Sequence, residues 1–203
     1  MTFKRLFDIS GALTGLLLLS PVLLGIALLI RFRMGTPVLF KQQRPGLHGK
    51  PFFMYKFRTM TNAKDENGEL LSNEKRLTRL GNFLRKTSLD ELPELINVLK
   101  GEMSLVGPRP LLMRYLPYYS KEEFRRHDVR PGMTGLAQVS GRNRLNWNDR
   151  LKLDIDYVDH CSVIRDFIII LKTLRNCFLQ KDIVLSDHNP IQDLDVERRE
   201  NND

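Results

Sequence analysis

Residues 9–30 read ISGALTGLLLLSPVLLGIALLI, 22 positions without one charged side chain, and no other stretch limits the fold as strongly. As one helix it would reach roughly 33 Å at about 1.5 Å per residue, just over a hydrocarbon core of about 30 Å. Such a segment has to meet lipid. Ser20 and Pro21 interrupt it near the middle, and a proline inside a helix removes a backbone donor and crowds the preceding turn. Lys4 and Arg5 precede it while Arg31 and Arg33 follow it, so flanking charge sets no direction across a bilayer. A segment that bends at Ser20-Pro21 and leaves by the face it entered keeps both basic ends on one side. A full span with a proline kink is equally supported by these residues. A cleaved leader is disfavoured, because Arg31-Phe32-Arg33-Met34 stands where small residues would be needed.

The remaining length suits one globular unit with attachments. A net charge of +8 implies an acidic partner: nucleic acid, an anionic membrane surface or a phosphorylated substrate. Cys161 and Cys177 fit no metal or redox spacing and read as reduced packing residues. Residues 36–60 alternate turn signals with short apolar runs and predict short strands. Residues 65–73 are a polar loop around Asn67-Gly68. Helices are expected over 76–86, 89–100, 121–127, 148–160 and 163–179. The last sets Ile164, Phe167, Ile168, Leu171 and Leu174 mostly opposite Arg165, Lys172 and Arg175, as an interfacial helix would, although packing on a core is the commoner fate. From residue 186 the chain is polar and reads as a disordered tail.

Asp90 and Glu91 lie in Ser88-Leu89-Asp90-Glu91-Leu92-Pro93, ahead of an apolar helical run. Ser88 with Glu91 fits a capping box, which accounts for Glu91 structurally. The box has no use for Asp90, and a carboxylate at a helix start can attack phosphorus while its neighbour serves as base or metal ligand. Arg109 stands between Pro108 and Pro110, and prolines fix the backbone around it. A guanidinium held in that way suits phosphate, or else it is a stiff surface turn. Arg130 precedes a Pro-Gly turn, Arg142 follows Gly141, Arg85 lies in the basic segment 76–86, and Lys56 and Arg58 flank Phe57. Stacking on nucleic acid would also use Lys56-Phe57-Arg58, but a lipid-seeking segment argues against that partner.

Five ordered blocks carry a specific likeness: residues 40–46, 55–60, 88–93, 107–110 and 130–138. Through them, from about residue 4 to about residue 181, the chain resembles the monotopic phosphoglycosyl transferases, the bacterial sugar transferase family, and among them the small PglC-type members. That resemblance implies a helix-break-helix hairpin at Ser20-Pro21, penetrating one leaflet. It further implies that Asp90 attacks the β-phosphate of a UDP-sugar, that UMP leaves, and that undecaprenyl phosphate collects the sugar phosphate. Glu91 matches the second carboxylate of the family's acidic pair, with base and metal roles, and the family requires Mg²⁺. A cation is sensible there, since two like charges 4 Å apart repel by roughly 4 kcal/mol at an effective dielectric of 20.

The expected architecture is α/β, mostly helical, in one catalytic domain: a re-entrant hairpin over 1–33, a membrane-associated catalytic domain over 34–185 and a polar tail over 186–203. Asp90 and Glu91 are the expected catalytic pair and the expected Mg²⁺ ligands. Lys56, Arg58, Arg85, Arg109, Arg130 and Arg142 are expected on substrate phosphates. UDP-sugar, undecaprenyl phosphate and membrane phospholipid are the expected partners, with a homodimer allowed and nucleic acid excluded, at the cytoplasmic face of a bacterial inner membrane. The rivals are a glycoside hydrolase, whose two carboxylates would have to flank a bond about 5 Å or more apart, and a membrane-anchored basic adapter without activity.

Overall fold

The computed structural model describes residues 2–141, 145–179 and 192–200. Helix α1 runs Thr2–Met34, and it is the one helix among the described residues long and apolar enough to cross a membrane. It continues through Ser20 and Pro21 with Pro21 inside it, so the expected break into two separate helices is not seen. The reason is local. Pro21 has no N–H for the Leu17 carbonyl one turn back, and the Ser20 hydroxyl donates to that carbonyl at 2.8 Å instead. In lipid an orphaned carbonyl costs several kcal/mol, and a neighbouring serine is one way to satisfy it.

Both ends of α1 are built into the same globular body. Near the start, Lys4 Nζ donates to the Val106 carbonyl at 3.0 Å and to buried Asp166 at 2.5 Å. Arg5 donates to the Val98 and Leu99 carbonyls at 2.7 and 2.9 Å, and Asp8 accepts from Ser104 Oγ and Leu105 N. Near the end, Ile26 and Ile30 are buried with Phe57 and Leu84. Between those anchors Leu13, Leu17, Leu18, Val22 and Leu24 stay exposed. Both ends of the segment expected as a membrane hairpin over 1–33 thus also contribute to the core.

Strands β1 (Leu39–Pro45) and β2 (Pro51–Phe57) form an antiparallel hairpin, and short helices α2 (Asn73–Arg76) and α3 (Arg79–Lys86) follow. After a 3-10 turn at Leu89–Glu91 comes α4 (Glu94–Lys100), stopped by Gly101 in the left-handed region at φ 83°. Fully buried Asn97 on α4 donates to the Phe53 carbonyl at 2.7 Å and accepts from Tyr55 N at 3.1 Å. That clasp sets the turn carrying Asp90 against β2, whose inward side bears Lys56.

Strands β3 (Ser104–Val106) and β4 (Gly132–Thr134) pair in parallel, with α5 (Lys121–Phe124) between them in sequence. Helices α6 (Leu136–Ser140), α7 (Trp147–Asp159) and α8 (Val163–Phe178) complete the body. On α8, Asp166 and Ile169 are buried, whereas Ile164, Phe167, Ile168, Leu171 and Leu174 face outward, as the sequence pattern predicts for an interfacial helix. Mostly helical with two small sheets, the architecture agrees with the α/β expectation. The tail differs. Helix α9 (Leu194–Glu200) buries Leu194 completely against Leu111, Tyr115 and Trp147, because one apolar side chain and the Trp147 indole, which donates to the Gln192 carbonyl at 2.8 Å, suffice to dock an otherwise polar segment. Residues 186–191 and 201–203 lie outside the described residues.

Candidate active site

Ser88 adopts φ 56° and ψ 17°, a left-handed backbone that is uncommon for a side chain with a Cβ, and its hydroxyl makes no capping hydrogen bond. The capping box expected from Ser88 and Glu91 is therefore not formed. Glu91 turns the other way. Its Oε1 accepts from Lys56 Nζ at 2.5 Å and from Arg109 Nη2, and its Oε2 accepts from Arg109 Nη1 at 3.3 Å. Two cations hold this carboxylate well below the usual range, against the upward push of burial. Arg109 is raised in turn, chiefly by the Glu91 charge.

Asp90 behaves oppositely. It is 8 % exposed, and burial, reinforced by the neighbouring Glu91 charge, pushes it up to about 6, with Lys56, Arg109 and Arg85 pulling the other way. Adjacent carboxylates with separated acidities are a recurrent arrangement of acid-base and nucleophilic sites. A third acid joins them. Glu94 is buried, lies 3.3 Å from Lys56 Nζ and is pushed up to about 7, by burial first and by Glu91 second. In sequence it resembles any first-turn acid of a helix, and nothing there marks it.

Two cavities meet at this turn. The larger, about 870 Å³, is lined by Phe40, Arg58, Arg85 and Asp90 among others; the smaller, about 400 Å³, by Arg109, Gln138, Arg150 and Thr173 among others. Arg44, Lys56, Ser88 and Glu91 line both. Each cavity lies in the size range of small-molecule sites.

The expected phosphate ligands divide. Lys56, Arg85 and Arg109 reach the site, and Arg85 Nε also donates to Thr59 Oγ1 at 3.1 Å. Arg58 lines the larger cavity, but its guanidinium donates to the carbonyls of Met34, Thr36 and Met60. It ties the end of α1 to the hairpin. Arg130 lines neither cavity and donates through Nε to the Gly101 carbonyl at 2.8 Å, holding the end of α4. In sequence, an arginine beside a turn looks alike whether it faces a ligand or a carbonyl, and here both face carbonyls. Arg142 lies outside the described residues.

Arg109 is positioned from behind. Gly107 N donates to the Thr134 carbonyl at 2.9 Å and Gly132 N to the Pro108 carbonyl at 3.0 Å. A Cβ on Gly132 would sit 2.0 Å from Gly107 N, so the two Arg-Pro loops can meet only through glycine. Buried Arg126 then donates to the Arg109 carbonyl at 2.8 Å while pairing with buried Asp154 at 2.7 Å. Neither Arg126 nor Asp154 carries a sequence signal, since each sits among ordinary helical charges.

The chain matches the family model described as bacterial sugar transferase over residues 1–180. It is 50 % identical over 188 residues to the uncharacterized sugar transferase EpsL of Bacillus subtilis, covering 93 % of both chains. It is 40 % identical over 188 residues to the exopolysaccharide production protein ExoY of Rhizobium meliloti, covering 84 % of this chain and 83 % of the relative. To the UDP-glucose:undecaprenyl-phosphate glucose-1-phosphate transferase of Escherichia coli it is 42 % identical over 188 residues, which is 88 % of this chain but 40 % of that longer protein. A family match through residue 180 and half-identity along nearly the whole of EpsL establish that the chain belongs to the bacterial sugar transferase family.

Proposed function

We propose that the chain transfers a sugar 1-phosphate from a UDP-sugar to undecaprenyl phosphate, through a covalent intermediate on Asp90. The observation that carries this is Asp90 itself: a buried carboxylate whose pKa is pushed up, next to a cation-locked Glu91, on a turn where two basic-lined cavities meet. Two anionic substrates that must share one phosphorus need such a junction. The name of the Escherichia coli relative supports the same pair of substrates.

In the first step an Asp90 oxygen attacks the β-phosphorus of the donor, the bond from that phosphorus to the oxygen bridging to the α-phosphate breaks, and UMP departs with that oxygen. In the second a phosphate oxygen of the polyprenyl acceptor attacks the same phosphorus, the bond to Asp90 breaks, and the carboxylate is regenerated. Covalent catalysis of this kind divides one difficult transfer into two. Burial withholds water from the acyl phosphate. Lys56 and Arg109 fix Glu91 beside Asp90, and Arg109 has further donors toward the smaller cavity.

Mg²⁺ fits the pair. Asp90 and Glu91 Oε2, which receives only the long 3.3 Å bond from Arg109, offer hard oxygen donors, and among the described residues no cluster of three metal-binding side chains forms a closed cage. Magnesium is commonly held by one or two carboxylates together with substrate phosphates. When bound there it would offset the repulsion between carboxylate and diphosphate.

The proposed topology is re-entrant, with α1 bent at Pro21 and both ends cytoplasmic. It is supported by Lys4, Arg5 and Asp8 at one end and Ile30 at the other, which are seated on the same body. The outward stripes of α1 and α8 then contact phospholipid. A cysteine placed at position 2 should resist membrane-impermeant reagents in intact cells and react after lysis, whereas labelling in intact cells would show a full span. The adapter alternative loses its main support, because Glu91 does not cap a helix. Purified protein in lipid discs, given a panel of UDP-sugars and undecaprenyl phosphate, should release UMP with at least one donor; release with none of them would return the adapter.

A further inference from the structure

Along β1 side chains alternate, and its pairing with β2 puts Phe40 opposite Lys56, Gln42 opposite Met54 and Arg44 opposite Phe52. Met54 and Phe52 are buried, so Gln42 and Arg44 project inward on the side that bears Lys56. Arg44 lines both cavities. Its Nη2 donates to the Gln42 side-chain oxygen at 2.6 Å, while its Nε is buried with no hydrogen-bond partner among the described residues. Of the other cations at the turn, Lys56 is paired with Glu91 and Glu94 and Arg109 with Glu91, while Arg85 donates through Nε to Thr59 Oγ1. Arg44 forms no ion pair among the described residues.

A partly buried guanidinium that no carboxylate contacts directly is costly to a fold, and Glu94 and Glu91 offset that cost only from a distance. Here Arg109 stands near enough to add repulsion, and burial with that repulsion lowers Arg44 to about 10, which leaves it charged at neutral pH. An anion arriving at the junction would complete the arrangement.

We propose that Arg44, steered by Gln42, binds the phosphoryl group while it passes between donor and acceptor, from the position where the two cavities meet. This rests on the sugar 1-phosphate transfer proposed above. The group concerned is present in both half-reactions, first as the β-phosphate of the donor and then as the phosphate on Asp90. Arg44 should therefore act in both, unlike a ligand of the UMP portion or of the acceptor phosphate alone.

The test uses the full-length protein in lipid discs, wild type beside Arg44→Gln and Arg44→Lys. Two single-turnover steps are followed: UMP release from a UDP-sugar without acceptor, and discharge of the labelled adduct on addition of undecaprenyl phosphate. Arg44→Gln should slow both by about 100-fold or more, the usual effect of losing one donor to a developing charge. Arg44→Lys, with the charge but not the fork, should slow both less. UMP affinity should stay as in wild type, and thermal unfolding should show the variant folded. If Arg44→Gln proves unfolded, the lysine variant carries the test, and wild-type rates there in both steps would sink the assignment. Slowing of one step alone would place Arg44 on donor or acceptor only and overturn its role in transit. An unimpaired Arg44→Gln beside an active wild type overturns the Arg44 assignment alone, while a wild type that releases no UMP overturns the transfer reaction and this assignment with it.

Discussion

Asp90→Asn should abolish turnover, by about 10⁴-fold or more, and at the same time make the protein harder to unfold at neutral pH. The carboxyl titrates near 6 in the folded chain against an ordinary value of 3.8. Because the folded value is the higher, the native state binds this proton more tightly than the unfolded chain. The stabilising contribution is present below about pH 4 and is lost as pH rises through 6. Above that, the ionised Asp90 costs roughly 3 kcal/mol. Asparagine removes the charge and with it that cost, so its midpoint of thermal unfolding should exceed that of wild type at pH 8 and approach it at pH 4. Wild-type UMP release should in turn fall as pH drops through 6, when the nucleophile becomes protonated. Equal unfolding midpoints at both pH values would show that Asp90 is not held at a cost.

Arg126→Met should destabilise the fold by about 3–5 kcal/mol, as removal of one partner from a buried ion pair does, since Asp154 is left buried without its counter-charge. It should also slow UMP release, because the Arg109 carbonyl loses its donor. The double variant Arg126→Met with Asp154→Leu separates the two effects. With neither charge left, most of the stability should return in denaturant titrations, while UMP release should stay slow with Arg109 unheld. Recovery of both would reduce Arg126 to a packing role.

The parts of this molecule that could be read from its sequence are those in which chemistry has a period or a spacing. The apolar run of α1, the outward stripe of α8 and the hairpin of β1 and β2 follow from alternation and turn residues. Asp90 and Glu91 were legible because two acids stood where a cap needs one. What was not legible depends on partners far along the chain. Whether Arg58, Arg109 or Arg130 meets a carbonyl or a carboxylate is decided by which backbone oxygens arrive beside it, and the local Arg-Pro pattern is the same for the last two. The Ser88 turn looked like a cap because its left-handed backbone leaves no trace in composition. Glu94 stands at the start of an apolar run close to two other acids, and Arg126 lies in a segment rich in charge, so burial alone distinguishes them. Leu194 closes a small core from within a polar tail, a contact 79 residues from Tyr115 that no local pattern encodes.

Covalent transfer through Asp90 is tested most directly by intact mass. Wild-type protein mixed with a UDP-sugar and Mg²⁺, without polyprenyl phosphate, and quenched rapidly should gain the mass of one sugar phosphate. Peptide mapping should locate it on the segment containing Asp90, with one UMP released per adduct, and Asp90→Asn should show neither. If UMP appears only when undecaprenyl phosphate is present and no adduct is seen at any quench time, the acceptor attacks the donor directly and Asp90 is not the nucleophile.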